Sequence, residues 1–122
     1  MTVQEQVAYA EAHLDGATVT RQPDGIYVIR WPFEPGAPWE PSKMTLIVLV
    51  PPLFPSQAPS GFDTLGSVAR AGTAVAGVGM RQMGDEQWMH FCWNPSVALD
   101  YTSEDAIWRF AKFAESRFLS LQ

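Results

Sequence analysis

The segment WMHFCWNP, residues 88–95, contains the sole cysteine of the chain. A cysteine becomes a nucleophile as its thiolate, and a nearby cationic imidazole favours that form. His90 stands two positions before Cys92 and Asn94 two positions after it. Extended backbone sends successive side chains to opposite faces. His90, Cys92 and Asn94 would then share one face, with Phe91 and Trp93 on the other. Asn94 is an uncharged donor of the kind that steadies an oxyanion. The run CWNPSV, residues 92–97, is proline-interrupted and reads as a loop. Loops carry chemistry more often than cores do. The competing reading makes Cys92 a small apolar residue packed among large ones, the usual fate of a free cysteine. Accessibility of the thiol separates the two.

Other chemistries lack their residues. One cysteine with His13 and His90 falls short of the roughly four ligands of a typical zinc site. A papain-like nucleophile would need a remote, oriented histidine. The remote histidine here, His13, reads as a surface residue of the first helix. No Gly-x-Ser-x-Gly occurs, and no Gly-Lys-Ser/Thr follows the glycines of residues 71–80 to make a phosphate loop. No cofactor or metal is implied. Asp85-Glu86 reads as a solvent-facing acid pair.

The bulk composition narrows the function class further. The 122 residues are 47% apolar, which fits a single domain spanning residues 1–122. A domain of that size buries roughly two-thirds of its unfolded surface. A lone cysteine makes no internal disulfide. The opening MTVQEQVAYAEAHL lacks the basic and apolar regions of a secretory signal. No apolar run approaches the ~18 residues of a membrane span. A soluble, cytoplasmic protein is expected. Thirteen acids against eight bases give a net charge of −5, and the bases are scattered. A nucleic-acid partner would need a basic stripe. The acidic surface reads first as a solubility feature.

The elements that must position the cysteine follow from periodicity. Residues 2–14 read as a helix, with Val3, Val7, Ala10 and Leu14 on one face. ATVTRQ and IYVIRW form a hairpin around Asp24-Gly25. Pro32, Pro35, Pro38 and Pro41 recur every third residue and predict a stiff, extended loop. Trp39 within it is the first suspect for an exposed aromatic patch, with burial an equal alternative. KMTLIVLV, residues 43–50, is apolar on both faces and predicts a central strand covered on both sides. PPLFPSQAP then takes the chain out of the sheet along a rigid path. Residues 63–86 are expected to form an irregular flap beside the cysteine, although their small side chains also suit a strand. Thr102 or Ser103 caps a final helix, with Glu104 and Asp105 in its first turn. Ile107, Phe110, Ala111, Ala114 and Phe118 make its apolar stripe. The class is α+β, an antiparallel strand meander with helices against it.

The order of helix, meander and VLVPPLFPSQAPSGF resembles the ubiquitin-conjugating enzyme superfamily. That family carries a turn of the form P-x-x-Y-P-x-x-x-P, matched here by Pro51, Pro55 and Pro59 with Phe54 at the tyrosine position. Its catalytic cysteine lies downstream, often followed by W-x-P and a helix. Cys92, Trp93-Asn94-Pro95 and the helix after Ser103 stand in that order. The likeness covers roughly residues 1–62 and 86–120. YVIRWPFEPGAPWEPSKMTLIVLVPPLFPSQAPSGFD is similar to a divergent prokaryotic branch. Its members occur in bacterial operons with an activating enzyme, a ubiquitin-like modifier and a JAB-type deconjugating peptidase, candidates for antiphage defence. The family's His-Pro-Asn triplet before the cysteine is absent, which leaves Asn94 and His90 as the replacements.

The resemblance implies a UBC-like fold and a thioester chemistry. Cys92 would accept a ubiquitin-like modifier from its activating enzyme and pass it to an acceptor amine. Thiolate character makes such exchange fast. Gln4, Glu5, Ala8 and Glu11 on the first helix would dock the activating enzyme. The alternative is a catalytically inactive UBC-like scaffold that binds the modifier or its activating enzyme, with Cys92 packed beneath Trp88 and Trp93.

Overall fold

A computed structural model describes residues 2–75, 78–92 and 100–120. The first helix, α1 (Val3–His13), begins at a reciprocal cap. Thr2 Oγ1 accepts from the Glu5 backbone N–H at 3.2 Å, and Glu5 Oε1 accepts from the Thr2 N–H at 3.2 Å. Two otherwise orphaned donors are thereby satisfied. Val7, Ala10 and Leu14 point into the core, as their spacing predicts, while Gln4, Glu5, Ala8, Glu11 and His13 face solvent.

Among the described residues nine strands follow in order: β1 (Thr18–Arg21), β2 (Tyr27–Phe33), β3 (Trp39–Glu40), β4 (Met44–Val50), β5 (Phe62–Leu65), β6 (Ala69–Arg70), β7 (Thr73–Ala74), β8 (Val78–Met83) and β9 (Glu86–Phe91). Helix α2 (Ala106–Ser120) comes last among the described elements. Six strands form one antiparallel sheet in the order β1-β2-β4-β5-β9-β8, and β3-β6-β7 form a small second sheet. The architecture is α+β, with an N-terminal helix, an antiparallel sheet and a C-terminal helix. Among the described residues no helix is long and apolar enough to cross a membrane.

Strand alternation divides the large sheet into unlike faces. Ile29, Trp31, Leu46, Val48, Phe62, Met89 and Phe91 join one core with Val7 and Ala10 of α1 and with Ile107, Phe110 and Phe118 of α2. Both helices therefore lie on that side. Phe62 stacks on Phe91 with centroids 5.0 Å apart and rings 10° from parallel. Phe118 closes over them edge-on, at 5.8 Å from Phe62 and 5.5 Å from Phe91. The opposite face has no helix over it among the described residues. Val28, Ile47 and Trp88 form a small apolar cluster there.

Several expectations change. Strand β4 is central, but helices cover it on one side only; Ile47 on the other side is buried by its neighbours on the sheet. The described residues of 63–86 do not form an irregular flap, because two-residue turns fold them into hairpins. Ala71 and Gly72, between β6 and β7, have φ of 53° and 79°, the sign that a tight hairpin turn requires. Gly84 and Asp85 join β8 to β9, with Met83 paired to Glu86. Trp39 is not an exposed aromatic: it is 2% exposed, and its indole N–H donates to the Phe118 carbonyl at 2.8 Å. Helix α2 starts later than expected. Glu104 and Asp105 precede it, and the Asp105 carbonyl accepts from the Arg109 N–H at 2.8 Å. The proline turn holds as a rigid exit from β4. Its Phe54 is buried and packs edge-on against Tyr101 at 5.6 Å.

Phe62→Ala is expected to cost about 3–5 kcal/mol, because it leaves a cavity under α2 where three aromatic rings meet. Urea unfolding of the variant checks this, and an unchanged midpoint would contradict the packing described.

Candidate active site

The register of the large sheet builds a row across five strands. Arg30 of β2 pairs with Ile47 of β4, Ile47 with Asp63 of β5, Asp63 with His90 of β9, and His90 with Gly79 of edge strand β8. All five lie on the helix-free face. Phe62 and Phe91, directly beside Asp63 and His90 in sequence, point under α2. Their burial forces Asp63 and His90 to the other side.

Asp63 is 1% exposed, and a buried carboxylate needs partners. Arg81 of β8 supplies two, donating from Nε to Oδ2 at 2.8 Å and from Nη2 to Oδ1 at 2.7 Å. The third partner is His90, whose Nδ1 lies 3.0 Å from Oδ1. The two-pronged guanidinium contact fixes the carboxylate in its plane. The carboxylate in turn fixes the imidazole.

A second ion pair extends the network. Arg30 donates to Glu86 at 3.0 and 2.7 Å. The indole N–H of Trp88 donates to Glu86 at 3.2 Å. The guanidinium carbons of Arg30 and Arg81 sit 5.3 and 6.0 Å from the Trp88 ring centroid, within cation–π range. Trp88 is thereby covered without any helix above it. Glu86 is not a free solvent-facing acid, as the sequence suggested. Its carboxyl is held below the usual value by the hydrogen bond from Arg30 and then by that from Trp88.

Cys92 follows Phe91 directly, at the end of β9, and is exposed. The expected alternation holds for the described residues: Phe91 is buried, while His90 and Cys92 are not. Trp88 to Phe91 belong to a paired strand, and the expected loop of residues 92–97 lies, but for Cys92, outside the described residues. The imidazole is bonded through Nδ1 to Asp63, and no hydrogen bond joins it to the Cys92 thiol. Strand geometry spaces residues 90 and 92 by roughly 7 Å along the chain. Asn94, with Trp93 and Pro95, lies outside the described residues. Asp63 and Arg81 escaped the sequence reading. A lone acid in an apolar, strand-like GFDTL is the signal that was available for Asp63.

No protein-family model, curated protein or solved structure matches this chain. Its chemistry is therefore read from the geometry alone. Among the described residues no group of His, Cys, Asp and Glu could hold a metal ion. A hollow of about 220 Å³ beside the proline turn is lined by Ile26, Leu49, Pro51, Pro52, Gln57, Ala58 and Ser60. None of these side chains titrates in the usual range, so the hollow offers no acid or base, and the hydroxyl of Ser60 has no base among the lining residues to activate it. The chemistry-bearing groups stand elsewhere, on the open face of the sheet.

The thiol of Cys92 is expected to react with a disulfide reagent in the native protein at a rate close to that in urea. A reaction seen only on unfolding would return Cys92 to the core. The Arg30–Glu86 pair makes a separate prediction. A carboxyl depressed in the folded state stabilises the fold above its unfolded value of about 4.3, and that contribution is lost as pH falls through the lower folded value. Arg30→Gln should therefore cost about 1 kcal/mol or less at neutral pH, as for a partly exposed pair. The difference should vanish below the carboxylate range, as followed by urea unfolding across pH.

Proposed function

We propose that this chain is a ubiquitin-conjugating-enzyme-like protein. It accepts a ubiquitin-like modifier from an activating enzyme as a thioester on Cys92 and passes it to an acceptor amine. The observation that carries this reading is an exposed thiol at a strand end, two residues from an imidazole held by a buried carboxylate. An exposed cysteine suits a macromolecular acyl donor, whose bulk could not enter an enclosed pocket. The arrangement of elements supports the same reading. A capped N-terminal helix, an antiparallel sheet, a proline turn, a cysteine and a C-terminal helix occur in that order. The solvent-facing side chains of Gln4, Glu5, Ala8 and Glu11 form one surface of α1 on which the activating enzyme would dock.

The reaction exchanges one thioester for another. Thiolate sulfur of Cys92 attacks the carbonyl carbon, and the sulfur of the activating enzyme leaves. The new thioester is then open to attack by an amine. No redox partner or metal enters either step.

Mixing the protein with its activating enzyme, the processed modifier and ATP should add one modifier mass to the intact chain. A thiol reductant should remove the adduct, and Cys92→Ala should abolish it. A stable complex of the three proteins with no adduct on Cys92 would instead identify the chain as a binding scaffold.

A further inference from the structure

Asp63 and Arg81 have no part in the transfer chemistry described so far. A carboxylate buried in a sheet is costly to maintain, and this one spends a hydrogen bond on an imidazole. The hydrogen bond decides which ring nitrogen carries the proton. Oδ1 of Asp63 is held by Arg81 and acts as an acceptor, so Nδ1 of neutral His90 must be the donor. Nε2 then carries the lone pair. Resting on the conjugating reading above, we propose that Asp63 is a positioning residue that makes Nε2 of His90 the general base for the acceptor amine.

The surroundings of His90 leave space for that amine. The residue paired with His90 on edge strand β8 is Gly79. A Cβ built at Gly79 would meet nothing within 4 Å. Asp63 thus approaches the ring from the sheet interior and Arg81 reaches across from β8, while Gly79, the residue paired with His90, adds no side chain on the edge side among the described residues. Trp88, preceding His90 on the same face, is buried beneath the two arginines and provides a rigid floor. The imidazole is itself 17% exposed, enough for its outer nitrogen to meet an incoming group.

The step balances without any further reactant. The amine nitrogen attacks the carbonyl carbon of the Cys92 thioester. The C–N bond forms, the C–S bond breaks, and sulfur leaves as thiolate. The proton shed by nitrogen goes to Nε2 of His90. The resulting imidazolium keeps its Nδ1–H on Asp63, whose charge stabilises it. It then releases the proton from Nε2 to solvent, which restores the base, and the thiolate of Cys92 is left ready for the next exchange. A thiol acceptor has less need of this base, because a thiolate can attack directly.

The test separates the two stages. Purified protein is first acylated on Cys92 with a synthetic peptide thioester ending in glycine. The adduct is then discharged in single turnover, either to free lysine or to a small thiol. His90→Gln keeps a donor for Asp63 but removes the base. It should slow lysine discharge on the order of a hundredfold, at the lower end of general-base effects, and leave thiol discharge within about twofold. Asp63→Asn should slow lysine discharge by at least about tenfold, with the same selectivity. Asp63→Asn could unfold the protein, so the wild-type chain supplies an independent readout. Nitrogen-15 NMR of neutral His90 should find the proton on Nδ1. Equal slowing of lysine and thiol discharge, unchanged lysine discharge in His90→Gln, or a proton on Nε2 would each overturn the assignment. Failure of Cys92 to take the acyl group at all would instead overturn the conjugating reading and this inference with it.

Discussion

The Phe62–Phe91 stack fixes the register between β5 and β9, and the site depends on that register. Phe118 of α2 locks both rings from above. A slip of one residue would turn Phe91 to solvent and His90 into the helix-side core. The Asp63–His90 hydrogen bond would be lost in the same movement. The Asp63–His90 geometry of the open face is therefore specified from the opposite side of the sheet, by aromatic rings that lie under the helices.

This division gives the sheet two kinds of stability. The helix side is held by apolar burial and aromatic contacts. The open side is held by ion pairs that run from Glu86 through Arg30, across Trp88, to Arg81, Asp63 and His90. Such a polar network is costly when any member lacks a partner. It also restricts each side chain to one geometry. Preorganised groups act without reorganising during reaction. His90 is held in this way by a carboxylate that is itself held by a guanidinium.

The sequence revealed the two helices, the first hairpin, the central strand and the exit at the proline turn, because each carries a local periodicity or a breaker. The burial of Phe91 between a less buried His90 and an exposed Cys92 was also legible from the alternation of extended chain. The partner of that histidine was not. Asp63 lies 27 positions from His90, and only the strand register brings them together. Residues 63–86 misled for a different reason. Their small side chains carry no alternation strong enough to mark strands, and the Gly84-Asp85 turn was read as part of a charged surface. Trp39 could not be placed because its hydrogen-bond acceptor belongs to the last turns of α2. Helix α2 was extended too far toward Thr102 because acids that normally open a helix stand here just before it.

The buried donors with distant acceptors also constrain how the chain reaches this state. Trp31 donates to Glu115 across 84 positions, Trp39 to the Phe118 carbonyl across 79, and Gln6 to the Tyr101 carbonyl across 95. The two indole bonds cannot form until α2 has docked, nor the amide bond until the segment just before α2 is in place. Before that moment the indoles and the amide must stay hydrated or lie unpaired against apolar surface. Closing such long loops is entropically expensive before any contact rewards it, and topologies of this kind fold on the order of milliseconds to seconds. Docking of α2 and the alignment of Asp63 with His90 thus belong to one cooperative structure, because Phe118 of α2 rests on the same two rings that set the β5–β9 register.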